Sequence, residues 1–522
     1  MRAPMERWMK RGVFLWLACA PLAAQPSPPV PILRPAVPQP AAQAPAPARR
    51  FETSHQGTFG GQHVSYKAVV SEHFITDASG KRLASFFTTS FLRTDVPRER
   101  ARPVLFAFNG GPGSASLWLQ MGFLGPRRID FADAVNPETV PPFPIVDNPA
   151  SPLDVADIVL MDPPGTGFSR LLPDGKPEQF YGTQQDAKAA VDIIEQWVRE
   201  NDRWDSPKYL IAESYGTIRA AVVAALLAGG PTETGNMDGI TLNGIILLGQ
   251  AMDMSGSSGT DGRYVTLLPT LAATACYHGK VAAGCTPARQ VAEAEKFASD
   301  SYLKALYAGS ELPAAERETI VARLAALTGL SPAFISQNNL RISASAFAHE
   351  LLRDQDKEIG LYDSRFTLPL SPTGNDPVAD DPAMGQYVPA FVAAYNIYTR
   401  HELAVSIDDA YQAIAFRSVN LRWDYGRGPG AGPSADYASD LAVAMRRNPQ
   451  LRLMIGEGYY DLVTPLGSAA YAISHSGFPP DRTSLRLYPS GHMPYLGAEG
   501  RQMLARDVRA FITAHSSERG AE

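Results

Sequence analysis

Lys208-Tyr-Leu-Ile-Ala-Glu-Ser-Tyr-Gly-Thr217 is an apolar run that stops at Glu213-Ser214-Tyr215-Gly216, where an alanine-rich helical pattern begins at once. A short strand entering a helix through Ser-x-Gly has the layout of a nucleophile elbow: the tight turn lifts the serine oxygen above the sheet and turns the next amide toward a reacting carbonyl. Ala212 stands where such turns usually carry their first glycine, so the crowded point still has a small residue. A plain βα turn with a helix-capping serine has the same local sequence, and partners elsewhere in the chain decide between the two.

Working outward, Pro103–Phe108, Ala156–Met161, Tyr209–Ala212 and Ile240–Leu248 are short apolar runs, the pattern of buried parallel strands with helices on both faces. Asp186–Glu200 repeats apolar residues at three- and four-residue steps, which predicts a helix between them. Upstream, Thr58–Ile75 and Ala84–Arg93 alternate apolar and polar residues, as antiparallel strands with one wet face do. Beyond Met254 the strand signals stop, Val291–Leu327 and Asp380–Tyr398 read as helical, and strands resume at Leu451–Ile455 and Ser484–Tyr488. The expectation is a doubly wound, mostly parallel α/β sheet, with a core over 51–253 and 441–522 and a mainly helical cap inserted at 254–440.

Two of the late runs end on chemistry. Met454-Ile-Gly-Glu-Gly-Tyr-Tyr-Asp461 is a strand leading to a carboxylate, with Glu457 as a nearby competitor, and Leu487-Tyr-Pro-Ser-Gly-His492 is a strand leading to an imidazole. The order Ser214, Asp461, His492 is that of α/β-hydrolases, where the serine needs a base for its proton and the base needs a carboxylate to hold its tautomer. Of the histidines after Asp461, His475 and His515 lie on helical patterns, which leaves His492. Phe108-Asn109-Gly-Gly-Pro-Gly-Ser-Ala-Ser116 follows another strand, and its glycines allow backbone amides to approach an oxyanion. A phosphate-binding loop would continue into Lys-Ser or Lys-Thr, which is missing here.

Asn109-Gly-Gly-Pro-Gly113, Asp162-Pro-Pro-Gly-Thr-Gly-Phe-Ser169, Glu213-Ser-Tyr-Gly216 and Gly491-His-Met493 together resemble the serine carboxypeptidase family, lysosomal and secreted α/β-hydrolases that remove C-terminal residues. The resemblance runs from about Pro103 to Pro494 and is patchy in the helical insertion. It implies Ser214 as nucleophile, His492 as base and Asp461 as its orienting acid, with the amides of Gly111 and Tyr215 as oxyanion hole. Asn109, the amide of Gly110 and a protonated Glu213 would bind the terminal carboxylate of a peptide substrate, and no cofactor is called for. The chain departs from the family in having Ala107 where a Trp usually stands and Phe123 where a second Glu of the carboxylate-binding network usually stands. It reads as a divergent bacterial-type relative. An esterase or acyltransferase on the same triad, or a non-catalytic envelope protein retaining the fold, are the alternatives.

The remaining features concern location. Residues 1–24 carry Arg2, Arg7, Lys10 and Arg11 before the apolar run Val13–Ala20 and small residues Ala23-Ala24, the order of a secretory signal too short to span a bilayer. A lipoprotein signal with Cys19 as the lipidated residue is the second reading, so the expectation is a periplasmic, secreted or lipid-anchored protein. The segment 25–50, nearly all Pro, Ala, Gln and Val, reads as an extended linker. Cys276 and Cys285 are then an even pair, either bridged across a short loop or two buried thiols. With 45% hydrophobic and 19% charged residues and a formal charge of -6 mixed along the chain, nothing recommends a nucleic acid as partner.

Overall fold

The computed structural model describes residues 46–96, 102–235, 239–252, 260–371, 376–426 and 436–518. The expected export signal, Cys19 and nearly all of the expected linker lie outside them. The chain divides at Pro47, and Ala48 onward groups into one unit.

Three antiparallel strands come first: β1 (Arg50–Phe59), β2 (Gln62–Thr76) and β3 (Arg82–Arg93). The alternating stretch Thr58–Ile75 is therefore not one strand. Gly60 and Gly61, with φ of 53° and 82°, form a two-residue turn of the kind that joins twisted hairpins, and β1 begins at the very end of the expected linker. Then come β4 (Val104–Phe108), β5 (Asp157–Asp162), β6 (Lys208–Glu213), β7 (Gly244–Leu248), β8 (Arg452–Gly458) and β9 (Thr483–Tyr488). Their order in the sheet is β1-β2-β3-β5-β4-β6-β7-β8-β9, parallel from β5 onward. This is the mostly parallel, doubly wound α/β-hydrolase sheet.

The central strands read as continuous apolar runs because both faces are covered. Leu105, Ala107, Ile211, Ile246 and Leu248 point into one apolar cluster, while Val104, Phe106, Leu210, Ala212 and Ile245 point into the other. The second face is packed by α1 (Thr183–Glu200) and α2 (Tyr215–Leu227). Within the insertion, α3 (Gly262–Tyr277), α4 (Pro287–Phe297) and α5 (Ala314–Thr328) share a separate core that includes Leu267, Leu271, Ala294, Leu324 and Leu327. Helix α3 bears Pro269 in its interior, a residue that ordinarily breaks a helix and so hides this one from pattern reading.

The expected insertion 254–440 is less separate than its sequence suggests. Its helix α6 (Met384–His401) packs on the first face of the sheet, together with α9 (Ala498–Glu518), and α7 (Tyr437–Arg447), which straddles the expected boundary, packs on the second. The insertion also contains a short antiparallel pair, Lys357–Ile359 with Thr367–Pro369, where the sequence shows no strand signal. Between β8 and β9 lies α8 (Leu466–His475). Cys276 and Cys285 are bridged at the end of α3, with sulfurs 1.99 Å apart.

Candidate active site

Strands β4, β6, β7, β8 and β9 all end at one edge of the sheet, and the loops leaving them hold the site. At the end of β6, Ser214 has φ 59° and ψ -132°, a conformation costly for a non-glycine residue and imposed by the elbow. Its amide donates to Leu248 O at 3.0 Å, and its carbonyl accepts from the amide of Thr217 at 2.8 Å and the Thr217 hydroxyl at 2.7 Å. The glycine loop after β4 lies directly on this elbow. A Cβ added at Gly110 would sit 2.5 Å from the amide nitrogen of Tyr215, so only glycine allows this approach. Gly111, with φ 103°, lines the cleft beside Ser214.

Asp461 leaves β8 wholly buried, and Oδ1 accepts from the amides of Val463 at 2.8 Å and Thr464 at 2.9 Å. Its Oδ2 meets His492 Nδ1 at 2.7 Å. This bond leaves Nε2, the nitrogen that would face a serine, buried and without a protein partner. Burial of His492 disfavours its charged form, but the charge and hydrogen bond of Asp461, with help from Glu213 and Asp381, outweigh it and raise its pKa above the usual histidine value. Glu457 does not compete for the histidine. It is turned to the amide of Gln250 at 2.9 Å, and burial, then the charge of Asp461, hold its carboxyl well above the ordinary range.

Asn109 and Glu213 meet beside Ser214. Asn109 Nδ2 donates to Glu213 Oε1 at 2.8 Å, and Asn109 Oδ1 accepts from the amide of Leu119 at 3.0 Å, which fixes the orientation of the side-chain amide. Burial pushes the Glu213 carboxyl up to about 7, opposed by His492 and by hydrogen-bonding groups of Tyr495 and Asn109. Asn109, Gly110, Gly111, Glu213, Ser214 and His492 all line one open cleft. Its other walls are mainly apolar and include Trp118, Met384, Tyr387 and Ile414.

Several supports carry no sequence signal. The short hairpin of the insertion delivers Tyr362 O to the amide of His492 at 2.7 Å, Asp363 Oδ2 to the amide of Gly491 at 3.2 Å, and Arg365 Nη1 to Pro489 O at 2.8 Å. Thr464 Oγ1 donates to Asp461 Oδ2 at 2.5 Å and lies 3.1 Å from His492 Nδ1. After β7, Gly249 backs the imidazole so closely that a Cβ would come within 3.0 Å of the ring, and the amide of Ala251 donates to Thr217 Oγ1 at 2.8 Å. One loop thus braces both the serine turn and the histidine. Below the elbow, Arg219 and Asp186 form a buried pair at 2.6 Å, with Arg219 also donating to Asn109 O at 2.8 Å. His475 lies away on α8, stacked on Tyr471, and His515 lies within α9.

Part of the sequence and the fold have counterparts among known proteins. A family model described as serine carboxypeptidase matches residues 76–279, from the end of β2 through α3. Over this stretch the chain is similar to the serine carboxypeptidases. A prohormone-processing carboxypeptidase from Saccharomyces cerevisiae superposes with a TM-score of 0.53 at 15% identity, over 86% of this chain and 92% of that one, which shows a shared fold. A thermophilic esterase from Thermogutta terrifontis aligns at 12% identity over 85% and 98% of the two chains with a TM-score of 0.33. A proline iminopeptidase from Mycobacterium smegmatis aligns at 13% identity over 89% and 100%, with a TM-score of 0.32. No curated protein matches by sequence. The family match includes Asn109, Glu213 and Ser214 and ends before Asp461 and His492, which the later strands of the fold bring to the same edge.

Proposed function

We propose that this serine carboxypeptidase relative is an exported hydrolase that removes C-terminal residues from peptides through an acyl-enzyme on Ser214. The observation that carries the proposal is the Asn109–Glu213 pair: a buried amide and a carboxyl that stays protonated up to about pH 7 meet in the same cleft as the candidate nucleophile. Protonated, Glu213 donates to a terminal carboxylate; ionised, it repels one. That is the discrimination an exopeptidase needs.

In this reading His492 Nε2 takes the proton of Ser214 Oγ as the oxygen attacks the scissile carbonyl, and Asp461 holds the imidazolium that results. The amides of Gly111 and Tyr215 receive the oxyanion. The C–N bond then breaks as His492 returns the proton to the leaving amine, and the same histidine activates the water that releases the acyl group. Export rests on the charged, apolar, small order of residues 1–24. Among the described residues no helix is long and apolar enough to cross a membrane.

Phe123 and Ala107 support a second reading, an esterase or acyltransferase on the same triad, because both are wholly buried apolar residues where the family usually carries polar or larger ones. A fluorophosphonate label followed by mass spectrometry of digested peptides separates the readings. Labelling of wild type but not of Ser214→Ala, with release of single C-terminal amino acids, is expected. Labelling with hydrolysis of acyl esters and of no peptide favours the second reading, and equal failure to label in both proteins removes the enzyme.

A further inference from the structure

Phe123 leaves Glu213 without a carboxyl neighbour, yet the space beside Glu213 is not empty. Tyr495, three residues beyond His492 and 1% exposed, brings its hydroxyl next to Glu213 and Asn109. Its ring stacks on Phe123 with centroids 6.3 Å apart and planes 10° from parallel. Gly122 makes the seat: a Cβ there would lie 2.3 Å from Tyr495 Cε2. Glu213 Oε2 and Tyr495 Oη are both buried, and neither closes a hydrogen bond of good geometry with any protein group. Two adjacent orphans of this kind are rare unless they serve one another.

We propose that Tyr495 is the positioning residue of the carboxylate-binding corner, its hydroxyl standing in for the missing second carboxyl as the hydrogen-bond partner of Glu213 Oε2. The proposal rests on the carboxypeptidase reading for its consequence but not for its geometry. A phenol differs from a carboxyl in one decisive way: it stays a neutral donor throughout the working pH range and adds no second negative charge. Donation to the ionised form of Glu213 favours that form, so Tyr495 sets the pH at which Glu213 stops accepting a substrate carboxylate. The other groups facing Glu213 are His492, Asn109 and Asp461 from the triad side and Tyr387 from α6, whose hydroxyl is engaged with Met384 Sδ at 2.7 Å. Tyr495 is the one whose removal leaves the triad and the cleft wall untouched.

Tyr495→Phe keeps the ring stacked on Phe123 and deletes only the hydroxyl. The Glu213 carboxyl can be followed directly by carbon NMR of glutamate-labelled protein, its signal assigned by loss in Glu213→Gln. Its midpoint should move up by about one pH unit in Tyr495→Phe, the usual scale for one hydrogen bond to a charged acceptor. The alkaline rise of KM for peptides should move by the same amount, and Tyr495→Phe should have no effect on the pH profile in a Glu213→Gln background. A midpoint that stays put or falls overturns the role of Tyr495. If the midpoint rises but no peptide is hydrolysed at any pH, Tyr495 keeps its role toward Glu213 and the carboxypeptidase reading is what fails.

Discussion

Glu213 and Ser214 are neighbours in the chain with opposed electrostatic needs, and the pH behaviour of the molecule follows from them. The carboxyl titrates near 7 in the folded protein against about 4.5 when exposed, because burial penalises its charge. A raised folded pKa means that stability is fully present below about pH 4.5 and is lost as pH rises through 7. At about 1.4 kcal/mol per pH unit the loss is about 3.5 kcal/mol. Glu213→Gln removes that loss, so the variant and wild type should melt together near pH 4.5 and separate at pH 8, with the variant higher. The same substitution donates at every pH, so KM for peptides should lose its alkaline rise. A KM profile identical to wild type contradicts a role for Glu213 in carboxylate binding. His492 gives the opposite limb: activity should fall as acid protonates the base, and its pairing with Asp461 at 2.7 Å raises the pH at which this occurs. Ser214→Ala and His492→Ala should each reduce kcat by about 10⁴-fold or more while leaving substrate binding measurable.

At the scale of elements, the site is a meeting of strand ends, and the glycine loop is its tightest joint. Gly110→Ala puts a methyl 2.5 Å from the Tyr215 nitrogen, so the loop or the elbow must move. Loss of oxyanion stabilisation predicts a fall in kcat of about 10²- to 10³-fold with a near-normal melting temperature, measured by steady-state kinetics and calorimetry. The bridge from Cys276 to Cys285 closes a loop of only ten residues at the end of α3. Replacing both cysteines by serine should cost about 2–3 kcal/mol in denaturant unfolding and change kcat little. The strands leading to Ser214 and Asp461 were legible because each is a buried apolar run that breaks into small and polar residues where the loop begins, and the half-exposed edge strand leading to His492 because Leu485 and Leu487 alternate with polar residues before the loop. The hairpin holding Tyr362, Asp363 and Arg365 was not, since strands of three residues have no period to read. Thr464, Gly249 and Tyr495 act through contacts between loops far apart in sequence, which composition and spacing do not encode. Helix α6 looked like part of the insertion by position, and only its packing of Tyr387, Phe391 and Tyr395 against the sheet's cluster shows where it belongs.

Across the whole molecule, the described residues form a sheet with a helical insertion whose hairpin reaches back to the histidine loop, so cap and site are mechanically joined. The proposed export would place the mature N-terminus near Gln25 or at a lipidated Cys19, and N-terminal sequencing of protein recovered from the producing cell checks it; an intact Met1 contradicts export. Central to the proposed activity is the recognition of a free terminal carboxylate by the corner that holds Asn109 and Glu213. The direct test is to incubate wild type and Ser214→Ala with one peptide as its free acid and as its C-terminal amide, and to follow both by mass spectrometry at mildly acidic pH. Stepwise loss of the terminal residue from the free acid, much slower loss from the amide and none with Ser214→Ala is the predicted result. Equal rates on acid and amide, or cleavage at internal bonds, would contradict it.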